Sequence, residues 1–293
     1  MHDALPMVLA LAAVGAGAGC LGAMVGVGGG VIIVPALAVF FDIDLKIAIA
    51  TSLIAVIATS TAAGSVYVGR GLANMRLGMT LEISTTTGGI LGSILAVHVS
   101  RSALSVFFAV LTFVTALLML RSKRDKPKAG AGDEDGGGGK MRTLGWEEQK
   151  RLAGAYFDAR AKAIVHYDVV RLWEGGGIAL VAGMVSGMLG VGGGFLKVPA
   201  MNLGMRVPLR VAAATSNVMI GVTAGASLFV YFARGYVHPT LAAPVALGVV
   251  VGSFAGTVLS AKASPQLLRF LLAGVLLVVT LEMALRAWGV RVV

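Results

Sequence analysis

One stretch of this chain occurs twice. Gly26-Val27-Gly28-Gly29-Gly30-Val31-Ile32-Ile33-Val34-Pro35-Ala36 returns as Gly190-Val191-Gly192-Gly193-Gly194-Phe195-Leu196-Lys197-Val198-Pro199-Ala200. The correspondence continues without a gap, with Leu45-Lys46 against Leu209-Arg210 and Ala50-Thr51-Ser52 against Ala214-Thr215-Ser216. Each copy is an apolar run broken by three glycines and closed by a proline. In a helix interior Gly and Pro cost about 1 and 3 kcal/mol. A triplet kept in both copies therefore marks two places where an otherwise helical chain has to stop.

The first run, Leu5 to Phe41, is too long for one crossing. As a single helix it would exceed about 50 Å, against a hydrocarbon core of about 30 Å. The glycines divide it into a full helix and a short piece, roughly Val31 to Phe41, that covers half a bilayer. Ile178 to Leu189 leads into the second break in the same way, and its short piece runs from Phe195 to near Met205. The plain spans are expected at Ile47 to Val68, Thr80 to Val99 and Ala103 to Leu120. In the second half they are expected at Val211 to Ala233, Leu241 to Ser260 and Leu267 to Trp288. With 57% hydrophobic and only 13% charged residues, against roughly a quarter charged in soluble domains, the chain reads as an all-α polytopic membrane protein.

The organisation is two membrane repeats of about four to five segments each, 1–122 and 173–293, each with a Gly-broken first segment. A hydrophilic linker, 123–172, separates them. If each short piece returns to the side it came from, the halves are inverted, as in many secondary transporters; if it crosses, they are parallel. Loop charge does not decide, because Arg206 and Arg210 are balanced by Arg286 and Arg291; inversion is preferred. Gly248, Gly252 and Gly256 align with Gly88, Gly92 and Ala96, and Glu82 with Ala242. Gly88, Gly89 and Gly92 form a small-residue face suited to close helix packing. In the linker, Asp125 to Lys140 is low-complexity and expected to be disordered, and Trp146 to Leu152 suits a short polar helix. Ala155 to Asp158 and Ala163 to Val170 suit a small β-hairpin. Basic residues at 121 to 128 place the linker in the cytoplasm and the protein in the cytoplasmic (inner) membrane.

Several classes are excluded. The net charge of +10 sits in short loops and the linker, as the orientation rule for cytoplasmic loops predicts, which argues against nucleic acid. Cys20 alone offers no disulfide or Cys-based metal framework. Met1-His2-Asp3 lacks the basic start of a cleaved signal. Gly17-Ala18-Gly19-Cys20-Leu21-Gly22 matches a dinucleotide fingerprint only as a pattern, since it lies inside a membrane helix. No cluster has metal-ligand spacing, no nucleophile–base pair is identifiable, and no ATPase phosphate loop is present. The reading is of a non-enzyme without cofactor.

The doubled Gly-Val-Gly-Gly-Gly…Val-Pro-Ala segment, each copy followed by Ala-Thr-Ser, resembles the TauE/SafE sulfite exporter family, also called the TSUP or DUF81 permeases. The resemblance covers both membrane halves. It implies a multi-spanning permease that exports sulfite, an organosulfonate such as sulfoacetate, or a related small sulfur oxyanion.

Gly28, Gly29 and Gly30 with Gly192, Gly193 and Gly194 are the first site candidates. Glycines let the backbone unwind and approach a ligand, and a helix starting there points unpaired N–H groups at the same spot. Tight helix packing is the plain alternative. Lys197, where the first copy has Ile33, could offer a cation to an oxyanion or else snorkel to the interface. Thr51 and Ser52, with Thr215, Ser216 and Asn217, could complete the oxyanion's shell or bond their own helices; Asn202 is a weaker addition. Glu82 is the carboxylate suited to proton coupling, although a place at the interface near Arg76 is favoured. Glu282 pairs with Arg286 at i,i+4, and His98 and His238 are interfacial. Lys197→Ala, or a bulky residue at Gly193, is expected to remove anion binding without unfolding the chain.

The leading expectation is a secondary transporter of a small sulfur oxyanion, working by alternating access around a midplane site, with the bilayer as its surroundings and homo-oligomerisation left open. The alternatives are a permease for another anion such as a carboxylate, or a non-transporting scaffold or signalling subunit.

Overall fold

The computed structural model describes residues 4–25, 28–121, 152–158 and 163–259, with isolated positions between 274 and 281. Asp125 to Lys140, most of Trp146 to Leu152, most of Leu267 to Trp288 and the Glu282–Arg286 pair lie outside the described residues. The described chain is helical except for one hairpin. Its elements are α1 (Ala4–Val25), α2 (Gly30–Phe40), α3 (Leu45–Gly69), α4 (Met75–His98), α5 (Arg101–Arg121), β1 (Gly154–Asp158) and β2 (Ala163–Tyr167). They continue as α6 (Leu172–Leu189), α7 (Gly194–Pro199), a π-turn at Ala200–Gly204, α8 (Leu209–Ala233) and α9 (Pro239–Leu259). Among the described residues, α1, α3, α4, α6, α8 and α9 are long and apolar enough to cross a bilayer. Phe229, Phe232, Leu247, Val251 and Ile83 are exposed on their outer faces, as lipid contact requires. This is an integral, multi-pass membrane protein.

Several boundaries differ from the sequence reading, for local reasons. α4 starts at Met75 rather than Thr80, because the Asn74 side chain caps it by accepting from Leu77 N at 3.1 Å. Arg76 thus stands in the first turn of α4 and not in a loop. α6 starts at Leu172 rather than Ile178, just after Arg171 in a left-handed conformation (φ 56°). The second short piece is α-helical only from Gly194 to Pro199. Pro199 has no N–H to continue the ladder, and the next turn widens, with Met205 N donating to Ala200 O at 3.2 Å.

The helices pack through glycines against bare backbone. A Cβ on Gly248, Gly252 or Gly256 would collide with the carbonyls of Ala12, Ala16 and Cys20 respectively. Residue numbers rise together along this seam, so α1 and α9 run parallel. A Cβ on Gly183 would strike Thr85 and one on Gly187 would strike Gly89, while Gly88 and Gly92 abut Leu180 and Met184; α4 and α6 are parallel too. α3 and α8 cross in opposite directions. The Ser60 hydroxyl donates to the Asn217 carbonyl and accepts from Gly221 N at 3.0 Å, while Gly64 faces Val218. With no hydrophobic drive between helices in lipid, such close approach supplies the dispersion contacts that hold the bundle.

The packing also corrects the glycine alignment. Gly252 meets Ala16 as Gly88 meets Leu180, and Gly256 meets Cys20 as Gly92 meets Met184. The counterparts of Gly88 and Gly92 are therefore Gly252 and Gly256, one turn from the alignment read in the sequence, and Glu82 stands opposite Ala246. This interval is the one that separates Gly28 from Gly192, and contacts recur at it. Tyr67 OH donates to Ala23 O at 3.1 Å, and Tyr231 OH to Gly187 O at 3.0 Å. Gly71 and Gly235, with φ of 64° and 73°, turn the chain after each of these helices.

Two ends can be distinguished. At one, β1 and β2 pair antiparallel, Gly154 opposite Tyr167 and Asp158 opposite Ala163. Asn74 latches this hairpin to the bundle, its Nδ2 donating to Leu152 O at 2.9 Å and to Tyr167 OH at 3.0 Å. Val170 N donates to Met205 O, and Leu152 and Val169 are buried in a core with Leu77, Leu81, Met201 and Met205. Burial raises the Tyr167 phenol above its ordinary range, the Asn74 bond opposing this in part, so the hydroxyl stays neutral at physiological pH. Asn74→Ala removes both latch bonds and the α4 cap and is expected to weaken hairpin docking by about 1–2 kcal/mol. Faster amide exchange in β1 and β2, with unchanged exchange in α1 and α9, is the expected readout. At the other end, Asp44 pairs with Arg101 at 2.7 Å, Lys46 Nζ donates to Val97 O at 2.6 Å, and His98 meets Arg234. His98 and His238 are exposed there.

Candidate functional site

Both glycine triplets interrupt their helices, and the interruptions meet. Gly28 and Gly29 have φ of 85° and 72°, and Gly192 and Gly193 have 81° and 69°, a region that side chains other than glycine rarely enter. The chain folds back after α1, so that a Cβ on Gly29 would lie 2.8 Å from Ala18 O. α2 then starts inside the bundle. Its first amides have no intrahelical acceptor behind them, while Ile32 and Ile33 N–H already close onto Gly29 O. A Cβ on Gly30 would collide with the Gly190 carbonyl and lie 2.8 Å from Ser52 Oγ and 3.0 Å from Val191 Cα. Ser52 Oγ donates to Gly190 O at 2.8 Å, which ties the first half's α3 to the second half's break. Gly28 lies against Val56 of α3 and Ile220 of α8.

The helices that meet at this junction, α3, α6 and α8, hold buried polar atoms that no described group satisfies. Among the described residues, the hydroxyls of Thr51, Ser186 and Ser216 and Oδ1 of Asn217 have no hydrogen-bond partner, and all four residues are 1% exposed or less. The contrast with the rest of the bundle is informative. Thr59, Thr61, Thr80, Thr87 and Thr112 each return their hydroxyl to a carbonyl one turn back, which is how hydroxyls are normally accommodated in lipid. A buried hydroxyl left unpaired costs about 1–3 kcal/mol, so Thr51, Ser186 and Ser216 are kept at a cost to the fold. Ser186 was not read from the sequence; it adjoins Gly193, whose Cβ would come within 3.1 Å of it.

The other candidates have different surroundings. Thr215 Oγ1 accepts from Asn74 N at 2.9 Å and so holds the loop before α4. Asn217 Nδ2 donates to Ala213 O, and Asn202 Nδ2 closes the turn at Val207 O. Lys197 is 2% exposed and does not snorkel: its Nζ donates to Thr223 Oγ1 at 2.9 Å. Thr223 Oγ1 lies 2.7 Å from Glu82 Oε1, which also accepts from Thr86 Oγ1 at 2.9 Å. Glu82 thus turns inward towards α8 instead of resting at the interface. Thr223 and Thr86 escaped the sequence reading; Thr86 stands one turn beyond Glu82, but only the fold brings Thr223 to it. A bulky residue at Gly193 is no folding-neutral probe, given its left-handed φ and a Cβ position 2.8 Å from Ala182 O.

Two cavities flank these groups. One of about 290 Å³ lies at the hairpin end between Gly71, Asn74, Arg76, Tyr156 and Tyr167. The other, about 10 Å³, adjoins Lys197 among Leu81, Gly175, Ala179, Met201 and Met219. None of the glycines of the breaks lines the larger.

A family model described as Sulfite exporter TauE/SafE matches residues 11–283. The chain belongs to the TauE/SafE family. It is 28% identical over 271 residues to "Probable membrane transporter protein YunE" of Bacillus subtilis (strain 168), covering 89% of this chain and 92% of that protein. It is 26% identical over 270 residues to a "Probable membrane transporter protein" of Xylella fastidiosa (strain 9a5c), covering 91% and 90%. A third relative, "Probable membrane transporter protein MJ0441" of Methanocaldococcus jannaschii, is 24% identical over 282 residues, covering 91% of each. No solved structure matches. Membership of this TauE/SafE family makes the protein a membrane transporter rather than an enzyme.

Proposed function

We propose that this TauE/SafE protein is a secondary transporter that exports a small sulfur oxyanion, sulfite or an organosulfonate, by alternating access around the junction of the two breaks. The observation that carries the reading is the contact of Gly30 with Gly190 and Ser52, together with the unpartnered hydroxyls of Thr51, Ser186 and Ser216 on the helices that meet there. Those hydroxyls, the first amides of α2 and the glycine backbone of the second break are the donors that would serve an oxyanion in this reading. The family description supports sulfite, and the relatives' names support transport. Asn217 and the remaining glycines line the same junction in this reading.

The halves are inverted. α3 and α4 are joined by a short turn and run oppositely; α6 runs with α4, while α1, whose end meets Tyr67 near the end of α3, runs with α3. The equivalent helices α1 and α6 therefore point in opposite directions, and the antiparallel crossing of α3 with α8 accords with this. Among the described residues, Arg70, Arg76, Arg171, Arg206 and Arg210 stand at the hairpin end against Lys46, Arg101 and Arg234 at the other, which supports a cytoplasmic hairpin end. The 290 Å³ cavity is then a cytoplasmic vestibule of a protein of the inner membrane. An inside-negative potential favours anion exit by about 2.3 kcal/mol per charge per 100 mV.

A competition panel on purified protein tests this. Sulfite, sulfoacetate and sulfate are expected to compete at least about tenfold better than acetate, or about 1.4 kcal/mol. Preference for acetate would point to a carboxylate permease, and flat responses to all four would point to a scaffold.

A further inference from the structure

The bridge from Lys197 through Thr223 to Glu82 joins a buried cation of the second half to a carboxylate of the first, and the repeat does not duplicate it. At the repeat-equivalent positions stand Ile33, Thr59 and Ala246. Glu82 Oε1 accepts from Thr223 at 2.7 Å and from Thr86 at 2.9 Å, but Oε2 is buried with no partner. A half-buried carboxylate with one oxygen served twice and the other, itself out of contact with solvent, not at all is short of one hydrogen. Lys197, one turn past Gly194, belongs to the same short helix as the second break, and the cavity of about 10 Å³ beside it leaves room at the limit of one water.

We propose that Glu82 is the coupling site of the transport cycle, where one proton is taken up together with the anion. This rests on the transport reading above. With Glu82 ionised, the Lys197 charge is balanced within the bridge and the break has no net charge to offer. A proton added to Oε2 converts the carboxylate to the neutral acid. Lys197 is then left as an unbalanced cation beside the second break, and an entering anion restores neutrality. Proton and anion therefore favour each other's binding, and the two move in the same direction. A dianion carried with one proton keeps one negative charge, which an inside-negative potential drives outward. Among the described residues, other groups around the pair do not compete for the proton. α6 presents Gly175 and Ala179, α8 presents Met219 and Thr223, and the π-turn presents Met201 and Met205. Arg76, nearer the end of α4, is exposed, and Glu174 is exposed and paired with Arg171.

The test uses the full chain in proteoliposomes, with labelled sulfoacetate as probe and two readouts: anion exchange at equal pH, and accumulation driven by a pH difference. Wild type is expected to show both, with apparent affinity rising at least tenfold as the medium is acidified. Glu82→Gln, which mimics the protonated acid, is expected to keep exchange, to lose at least tenfold in gradient-driven accumulation, and to show affinity independent of pH. Accumulation or pH dependence unchanged in Glu82→Gln, with exchange intact, would overturn the coupling and leave the transport reading standing. Absence of exchange in wild type for sulfoacetate, sulfite and sulfate alike would overturn both. Should Glu82→Gln fail to fold, Thr223→Val, which removes the bridge, is expected to move the midpoint of the pH profile by at least one unit. An unmoved midpoint would equally refute the assignment.

Discussion

Gly30→Val is expected to abolish anion exchange, by at least a hundredfold, and to destabilise the purified protein by about 3 kcal/mol, the upper end of overpacking costs. Gly30 lies within α2 and its backbone is not left-handed, so the effect is steric alone. The added carbons would have to occupy the space of the Gly190 carbonyl and of Ser52 Oγ. The obstacle is the backbone of the other half rather than the end of a flexible side chain, so it cannot yield without separating the breaks. Gly17→Val is the matched control. It places the same group on α1 where nothing lies within 4 Å, and both thermal midpoint and exchange are expected to match wild type. Equal tolerance at the two positions would mean that the junction is not as tight as described.

Ser216→Ala and Thr51→Ala are expected to behave in the opposite way. Neither hydroxyl has a partner to lose, so removing it relieves an unsatisfied buried group and leaves stability equal or slightly higher. Hydrogen bonds to charged groups contribute about 1.5–3 kcal/mol, so each variant is expected to bind the anion roughly 10- to 100-fold more weakly. Ser52→Ala separates the two effects, because that hydroxyl already serves Gly190 and its loss should lower stability as well. Loss of stability without loss of affinity in Ser216→Ala would assign this hydroxyl to the fold.

The parts legible in the sequence were those that depend on local chemistry. Three consecutive glycines cannot continue a membrane helix without exposing backbone, so both breaks could be placed from composition alone; Pro199 ends the α-helical part of its short piece, whereas Pro35 lies inside α2. The hairpin strands were readable from their β-prone runs around Ala159 to Lys162. What could not be read depends on contacts between distant segments. The start of α4 was missed because Asn74 stands ahead of Thr80 in a stretch whose capping bond needs the fold to be seen. The glycine alignment slipped by one turn because glycines spaced by four match themselves after a shift; only their partners on α1 and α6 distinguish the registers. Glu82 looked interfacial beside Arg76, and its inward partner Thr223 lies in the other half of the chain. The unpaired state of Thr51 and Ser216 has no sequence signature, since a threonine that bonds its own helix and one that does not are written alike.

The shared site of the two breaks is tested most directly by locating a bound heavy oxyanion. Crystals of the full chain grown with selenate, read at the selenium edge, should show one anomalous peak within hydrogen-bonding distance of Ser216 or Thr51 and of the Gly28–Gly30 backbone, in contact with both halves. A peak held by one half alone, or found only in the cavity between Arg76 and Tyr156, would contradict the account.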